Sequence, residues 1–200
     1  MIRRRRFDFT LRPFGVRVVC VVLPYVVGEN STIMFQLYHY TRTQVQKLTS
    51  LRGKYDDDIG SRGYVAEGIA LSHQFVSDEE LETYLKDLLN NVDAISTSSN
   101  SDARHTYALE MAAVSANLLT KISASQMRTV LNEAVSSLDD DNILVQIAYV
   151  RCVLNFCSAD EGLEAVKELK ASVEKSLGEL CDGTSNKELK SLCKDLLDKL

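Results

Sequence analysis

Apolar side chains recur at spacings of three and four residues from residue 35 to the C-terminus, separated by short polar stretches. This spacing places the apolar positions on one face of an α-helix, so it predicts a series of amphipathic helices. No proline follows Pro24, which leaves these runs uninterrupted. The pattern therefore predicts an all-α domain over residues 34–200.

Four of the helix starts are predicted by capping boxes, in which a serine is followed three positions later by Glu or Gln. These serines are Ser77, Ser123, Ser158 and Ser185. The apolar run after Ser158 continues from Leu163 to Leu180, which predicts one long helix. Three further helices are predicted to follow acidic residues, which complement the positive N-terminal end of a helix dipole.

Those three helices carry a repeat. They align on Ala66, Ala108 and Ala148, at intervals of 42 and 40 residues. One turn after each alanine comes another small residue: Ala70, Ala112 and Cys152. The helices between them repeat with an offset of 46 residues. Small residues at this spacing predict close helix packing, and a period in the forties with two helices per unit is typical of HEAT and armadillo arrays.

The chain resembles the HEAT/armadillo superfamily over residues 34–200. The resemblance rests on the aligned alanines, on the acids at the second helix of each pair (Asp58, Asp102 and Asp141) and on Arg62 and Arg104. The sequence departs from the family pattern at Val145 and Gln146, where the basic residue is missing. The resemblance implies a short right-handed α-solenoid of antiparallel helix pairs that binds proteins within assemblies. The alternative is an ordinary antiparallel helix bundle.

Residues 1–33 form a separate, irregular N-terminal extension that is first basic and then apolar. They hold six arginines against two acidic residues, and the apolar stretch from Val18 to Val27 contains Pro24. This segment matches a signal peptide or a mitochondrial transit peptide loosely, and a covering segment on the helices is the third interpretation. We expect a cytoplasmic, or alternatively nuclear, protein. If residues 1–28 are a targeting segment, the location is the secretory pathway or the mitochondrion.

Charge, the length of the apolar stretch and the spacing of the cysteines indicate what kind of partner and environment to expect. The rest of the chain is net acidic, so it repels phosphate backbones, and we expect protein partners and no nucleic acid. The N-terminal apolar stretch is too short to cross a bilayer, so no transmembrane span is predicted. The five cysteines include no CxxC pair and are interpreted as buried, reduced thiols.

The sequence shows no recognisable catalytic chemistry. It lacks GxGxxG, GxxxxGK[ST], GxSxG and HExxH, and its three histidines are isolated, so we assign no catalytic, cofactor or metal residue and predict no enzyme. Aromatic and arginine side chains dominate binding hot spots, and they nominate a partner-binding set. This set is Tyr38, Tyr40, Arg42, Arg62, Arg104 and His105. For the region of Tyr38, the alternative is the core face of a helix.

The function expected from these features is a non-catalytic scaffold, adaptor or regulatory subunit of a larger assembly. The alternative is a secreted or organelle-targeted helical bundle that carries a ligand or has an unrecognised active site. The apolar C-terminal helix, which ends at Leu200, further predicts self-association or a bound partner there, because terminal repeats normally shield their core.

Overall fold

The computed structural model describes residues 49, 50, 52 and 59–200. The N-terminal extension lies outside these described residues, as do Cys20, His39 and the aspartates that precede Ile59. Within residues 59–200 every regular element is helical, comprising eight α-helices and one short 3-10 helix. The prediction of an all-α fold is confirmed for this part of the chain.

The helices in chain order are α1 (Ile59–Ser72), α2 (Asp78–Ile95), α3 (Ser101–Asn117), α4 (Ala124–Ser136), α5 (Ile143–Phe156), α6 (Asp160–Glu168), α7 (Lys170–Gly183) and α8 (Lys187–Leu197). The 3-10 helix, His73–Phe75, directly follows α1.

The helices contact one another in two ordered series. Helix α1 packs against α3, α3 against α5, and α5 against α8; we call these four the second helices. Helix α2 packs against α4, and α4 packs against both α6 and α7; we call these the first helices. Contacts between the series join α2 to α3, α4 to α5, and α7 to α8. The core is therefore shared between neighbouring pairs.

The second helices supply the most deeply buried side chains. Met111 and Val114 in α3 and Val150 in α5 are fully buried. Helix α3 lies between α1 and α5, so its apolar residues are not confined to one stripe. Of the six small residues predicted to allow close packing, five are buried and Ala112 is partly buried.

Two of the four predicted capping boxes are confirmed. The Ser77 hydroxyl accepts from the Glu80 amide at 3.3 Å, and the Glu80 carboxylate accepts from the Ser77 amide at 3.2 Å. The same reciprocal bonds join Ser123 and Gln126, at 3.2 and 2.7 Å. Each box satisfies amides that the first helical turn leaves without an internal partner.

The other two predicted boxes are wrong by one residue. Helix α8 is capped by Asn186, whose side chain accepts from the Leu189 amide at 3.0 Å. Asparagine is as good an N-cap as serine, so Asn186 caps the helix in place of the neighbouring Ser185. Helix α6 begins after Ala159, which makes no side-chain cap bond. Gly162, in the first turn of α6, lies so close to the end of α5 that a Cβ atom there would overlap the carbonyl oxygen of Phe156.

The predicted long helix from Leu163 to Leu180 is two helices. Leu169 forms a turn between α6 and α7, with φ of −101° and ψ of 10°. Neither Gly nor Pro stands at this position, so the sequence carries no breaker signal there. Because α4 contacts both α6 and α7, the bend lets both halves pack on one neighbour.

The C-terminal helix turns its apolar residues inward. Leu189, Cys193 and Leu196 are buried, and the remaining leucines of this region, including Leu200, pack against the core. Among the described residues, the large apolar side chains with substantial exposure are Tyr64 and Ile143, both outside α8. The predicted apolar edge is therefore absent from α8, and self-association through this helix stays a prediction without an exposed surface to support it.

Candidate functional site

Buried charged side chains join successive second helices at their N-terminal ends. Arg62 of α1 donates to a carboxylate oxygen of Asp102 at 2.9 Å and to its carbonyl oxygen at 3.3 Å. Asp102 lies in the first turn of α3, where a carboxylate also complements the helix dipole. The Arg62 side chain is only 4% exposed. This pair therefore holds the start of α1 against the start of α3.

His105 belongs to the same junction. Its Nδ1 atom lies 3.2 Å from Nη1 of Arg62. A guanidinium can only donate, so Nδ1 accepts this hydrogen bond and the imidazole is neutral. Burial and the positive charge of Arg62 together lower the pKa of His105 to about 4, against the opposing effect of Asp102. The ring is a fixed acceptor at neutral pH.

The next junction repeats the arrangement with Arg104 of α3. Its guanidinium forms two bonds to the Asp140 carboxylate, at 2.7 and 3.1 Å, and also contacts Asp141 and the carbonyl oxygen of Ser98. Such a bidentate pair fixes orientation as well as distance. The hydrogen bond to Asp140, together with the nearby carboxylates, raises the pKa of Arg104. The Asp140 side chain is itself only 11% exposed, so both members of this pair are largely shielded from solvent.

The series changes at α5, as the missing basic residue in the sequence predicts. Gln146 takes no charged partner from the following second helix and instead donates to the carbonyl oxygen of Asp140 at 2.5 Å. Contact between α5 and α8 is supplemented at the surface, where Arg151 and Glu188 pair at 2.6 Å with both side chains about half exposed. An exposed pair of this kind contributes little to stability.

A second buried cluster surrounds Glu110 in the middle of α3. This carboxylate is 1% exposed and accepts from the Arg52 guanidinium at 2.8 and 2.6 Å and from the Tyr84 hydroxyl at 2.9 Å. Arg52 also lies over the Tyr107 ring, 5.3 Å from its centre. Burial raises the pKa of Glu110 despite the opposing effect of Arg52 and Tyr84. Together these contacts tie α2 and Arg52 to α3.

The 3-10 helix after α1 is fixed to the same region by His73. Its ring stacks on Tyr84 with centres 3.7 Å apart, and its Nδ1 donates to the carbonyl oxygen of Ile69 at 2.7 Å. Burial lowers the pKa of His73 to about 4. The Lys121 ammonium donates to three carbonyl oxygens of this connection, including that of Gln74 at 2.9 Å. The contacts of His73 and Lys121 therefore hold the 3-10 helix and the connection after it in place.

A cavity of about 530 Å³ opens between the α2–α3 and α4–α5 connections; we call it the loop cavity. Residues 96–99, Ser136, Ser137 and residues 139–141 form its walls, and Val92, Ile95, Arg104 and Tyr149 also line it. Arg104 is engaged by Asp140 and Asp141, whereas Asp139 and Asp141 are exposed. The opening is therefore polar and negatively charged above a partly apolar floor.

The structure separates the six residues nominated for partner binding. Tyr38, Tyr40 and Arg42 lie outside the described residues. Arg62 and His105 lie together at one junction and Arg104 at the next, and all three are buried. They present little surface to a partner, so their partner-binding role stays a prediction while their packing role is visible.

Sequence reasoning missed Glu110, Tyr84, Arg52 and Lys121. Glu110 carried a usable signal, because a charged residue interrupts the apolar run of α3 between Leu109 and Met111. Lys121 carried none, since its three acceptors are backbone carbonyls 45 to 48 positions earlier in the chain.

Comparison with known proteins identifies no relative: no family model, no curated protein and no solved structure matches the chain. Among the described residues, no group of three or more His, Cys, Asp or Glu side chains is placed to hold a metal ion. In the same part of the chain no single helix is long and apolar enough to cross a membrane. Only α5 and α6 taken together, across a 119° bend, reach such a length and hydropathy.

Proposed function

We propose that this chain is a non-catalytic scaffold, adaptor or regulatory subunit that binds other proteins within a larger assembly. In this proposal the helices form a short right-handed α-solenoid of the HEAT/armadillo kind. The observation that carries it is the ordered packing of the second helices, with Arg62 and Arg104 each reaching an aspartate at the next junction. Stacked pairs of this kind offer an extended outer surface for partners.

The loop cavity is the surface that we assign to a partner. The cavity is lined by three aspartates, Asp139, Asp140 and Asp141, against one arginine, Arg104, so its excess negative charge favours a cationic group. The apolar side chains of Val92 and Ile95 suit the aliphatic stem of a lysine or arginine. The partner would therefore present a basic segment. Its attraction to the cavity would weaken as ionic strength rises, because exposed charges are screened.

The test is affinity purification of the tagged full-length chain from cells that express it naturally, followed by quantitative mass spectrometry. We expect a stoichiometric companion protein in which treatment with a carbodiimide joins a lysine to Asp139 or Asp141. The variant Asp139→Asn, which leaves the pairing of Arg104 with Asp140 and Asp141 intact, should lose this companion. The matched control, Asp182→Asn, removes one exposed carboxylate from α7 and should retain it.

The outcomes separate the two parts of the proposal. A chain that is recovered alone under mild salt conditions refutes the scaffold function. A companion that both variants retain equally leaves the scaffold standing and refutes the loop cavity as its binding site. The same preparation identifies the mature N-terminus. Asn30-Ser31-Thr32 is an acceptor pattern for N-glycosylation, so a chain that begins near Glu29 and carries glycan at Asn30 would support the secreted alternative.

A further inference from the structure

Two of the cysteines face each other across the last pair of helices. Cys181 lies near the end of α7 and Cys193 lies in the middle of α8, and the two helices pack together. The Cys181 thiol lies close enough to the Cys193 thiol for the two groups to interact. Both side chains belong to the same apolar cluster, and neither is oxidised.

The other two described thiols are engaged differently. Cys152 donates to the carbonyl oxygen of Met111 at 3.4 Å, and Cys157 donates to that of Val153 at 3.6 Å. Both are buried, and each is satisfied by backbone. Cys152 and Cys157 therefore serve as internal controls for the Cys181–Cys193 pair. They are also reduced and buried, but the hydrogen bonds of their thiols go to carbonyl oxygens and not to a second sulfur.

We infer that Cys181 and Cys193 form a redox-sensitive dithiol that closes to a disulfide when the protein meets a low-molecular-weight disulfide such as oxidised glutathione. The bond would join α7 to α8 across the short connection of residues 184–186. Because α8 also packs against α5, closing this bond would restrain the outermost second helix on its neighbours.

The unequal burial of the two thiols sets the order of the steps. Cys181 is partly exposed, whereas Cys193 is fully buried. The thiolate of Cys181 attacks one sulfur of oxidised glutathione, which forms a mixed disulfide and releases one glutathione thiolate. The thiolate of Cys193 then attacks the Cys181 sulfur and releases the second. In total, two thiols are oxidised and one glutathione disulfide is reduced to two glutathione thiols.

The second step is expected to be the slower one near neutral pH. Burial, together with the neighbouring Cys181, raises the pKa of Cys193 to about 12. Little Cys193 thiolate is therefore present at neutral pH, and the attacking species in thiol–disulfide exchange is the thiolate. The rate of closure should increase as the pH is raised.

The test uses the folded full-length protein, oxidised glutathione and a free-thiol quench, followed by trypsin digestion without reductant. We expect a cross-linked species that joins the peptide of residues 176–187, which contains Cys181, to that of residues 191–194, which contains Cys193. The Cys193→Ser variant should instead keep glutathione on Cys181. The Cys181→Ser variant should leave Cys193 unmodified, and the control Cys152→Ser should cross-link as the wild type does.

Circular dichroism of each variant before treatment verifies that the helices are intact. If the folded wild-type protein accumulates glutathione on Cys181 without closing the cross-link at raised pH, the inference is wrong. It is equally wrong if Cys181 stays unmodified while Cys152 or Cys157 reacts. Cys20 is read on its own tryptic peptide and does not affect either result.

Discussion

Acidification should destabilise this protein through His73, and the size of the effect follows from its environment. Burial lowers the pKa of this ring from its ordinary 6.5 to about 4, more than its bond to the Ile69 carbonyl raises it. The positive charges of Arg52 and Lys121 act in the same direction as burial. Between pH 6.5 and about pH 4, the folded state therefore holds the His73 ring neutral, with Nδ1 as a hydrogen-bond donor, whereas the same ring is protonated in the unfolded chain.

The sign and the pH window follow from this difference. A lowered pKa in the folded state means that the stabilisation is complete above 6.5 and is lost as the pH falls toward 4. Between about pH 7 and about pH 5, the unfolded state gains a proton that the folded state does not, which costs about 2 kcal/mol of unfolding free energy. This is a large fraction of the stability of an ordinary domain.

The assay is urea unfolding followed by circular dichroism at both pH values, for the wild type and for His73→Gln. Glutamine keeps an N–H donor for the Ile69 carbonyl but does not titrate. The variant has its own lower baseline stability because it loses the stacking on Tyr84, so the comparison concerns only the change with pH. His105 is present in both proteins, and its contribution cancels.

We expect the wild type to lose about 2 kcal/mol more than the variant on acidification. Equal losses in the two proteins, with unchanged denaturant dependence, would refute the argument that His73 is held neutral. A double variant that also carries His105→Gln should lose still less, because burial and Arg62 lower the pKa of His105 in the same direction.

Two substitutions with matched controls test the packing. Gly162→Ala should destabilise the protein by roughly 1–3 kcal/mol, because the added methyl group overlaps backbone at the end of α5. Its control, Gly178→Ala, meets open space within α7 and should stabilise the protein by up to about 1 kcal/mol. Two effects of the same sign in urea unfolding would contradict this prediction. Tyr84→Phe should cost roughly 1.5–3 kcal/mol by removing a hydrogen bond to the buried Glu110 carboxylate, while Tyr64→Phe at an exposed site should change stability by less than about 0.5 kcal/mol. Indistinguishable unfolding midpoints for the two tyrosine variants would show that the hydrogen bond from Tyr84 to Glu110 contributes no stability.

Local signals predicted the helices well and their ends less well. Apolar spacing depends only on neighbouring residues, and it predicted helical runs that the structure confirms from α2 to α5. The capping boxes at Ser77 and Ser123 are equally local and were correct. The box predicted at Ser185 failed because Asn186 competes for the same role. The start of α6 and the turn at Leu169 depend on contacts with other helices, which the sequence does not reveal.

The polar clusters show the same division between local and distant information. The sequence indicated that Arg62 and Arg104 occur at equivalent positions, and the structure gives both a partner at the following junction. The sequence did not indicate that the contacts at these junctions bury both arginine side chains. Lys121 and Glu110 act through partners supplied by distant segments, so no spacing rule could have selected those partners.

A charge that recurs with the repeat is therefore a poor guide to a binding surface in a chain of this kind. Repetition at the α1–α3 and α3–α5 junctions serves packing, because each arginine is buried against the start of the next second helix. A partner, by contrast, needs groups that packing leaves exposed. In the described part of this chain, Asp139 of the loop cavity and the side chains of Tyr64 and Ile143 are exposed and lie outside the arginine–aspartate junctions. Recognition should thus depend on residues that the junctions leave exposed, and substitution of Asp139 should affect binding more than stability.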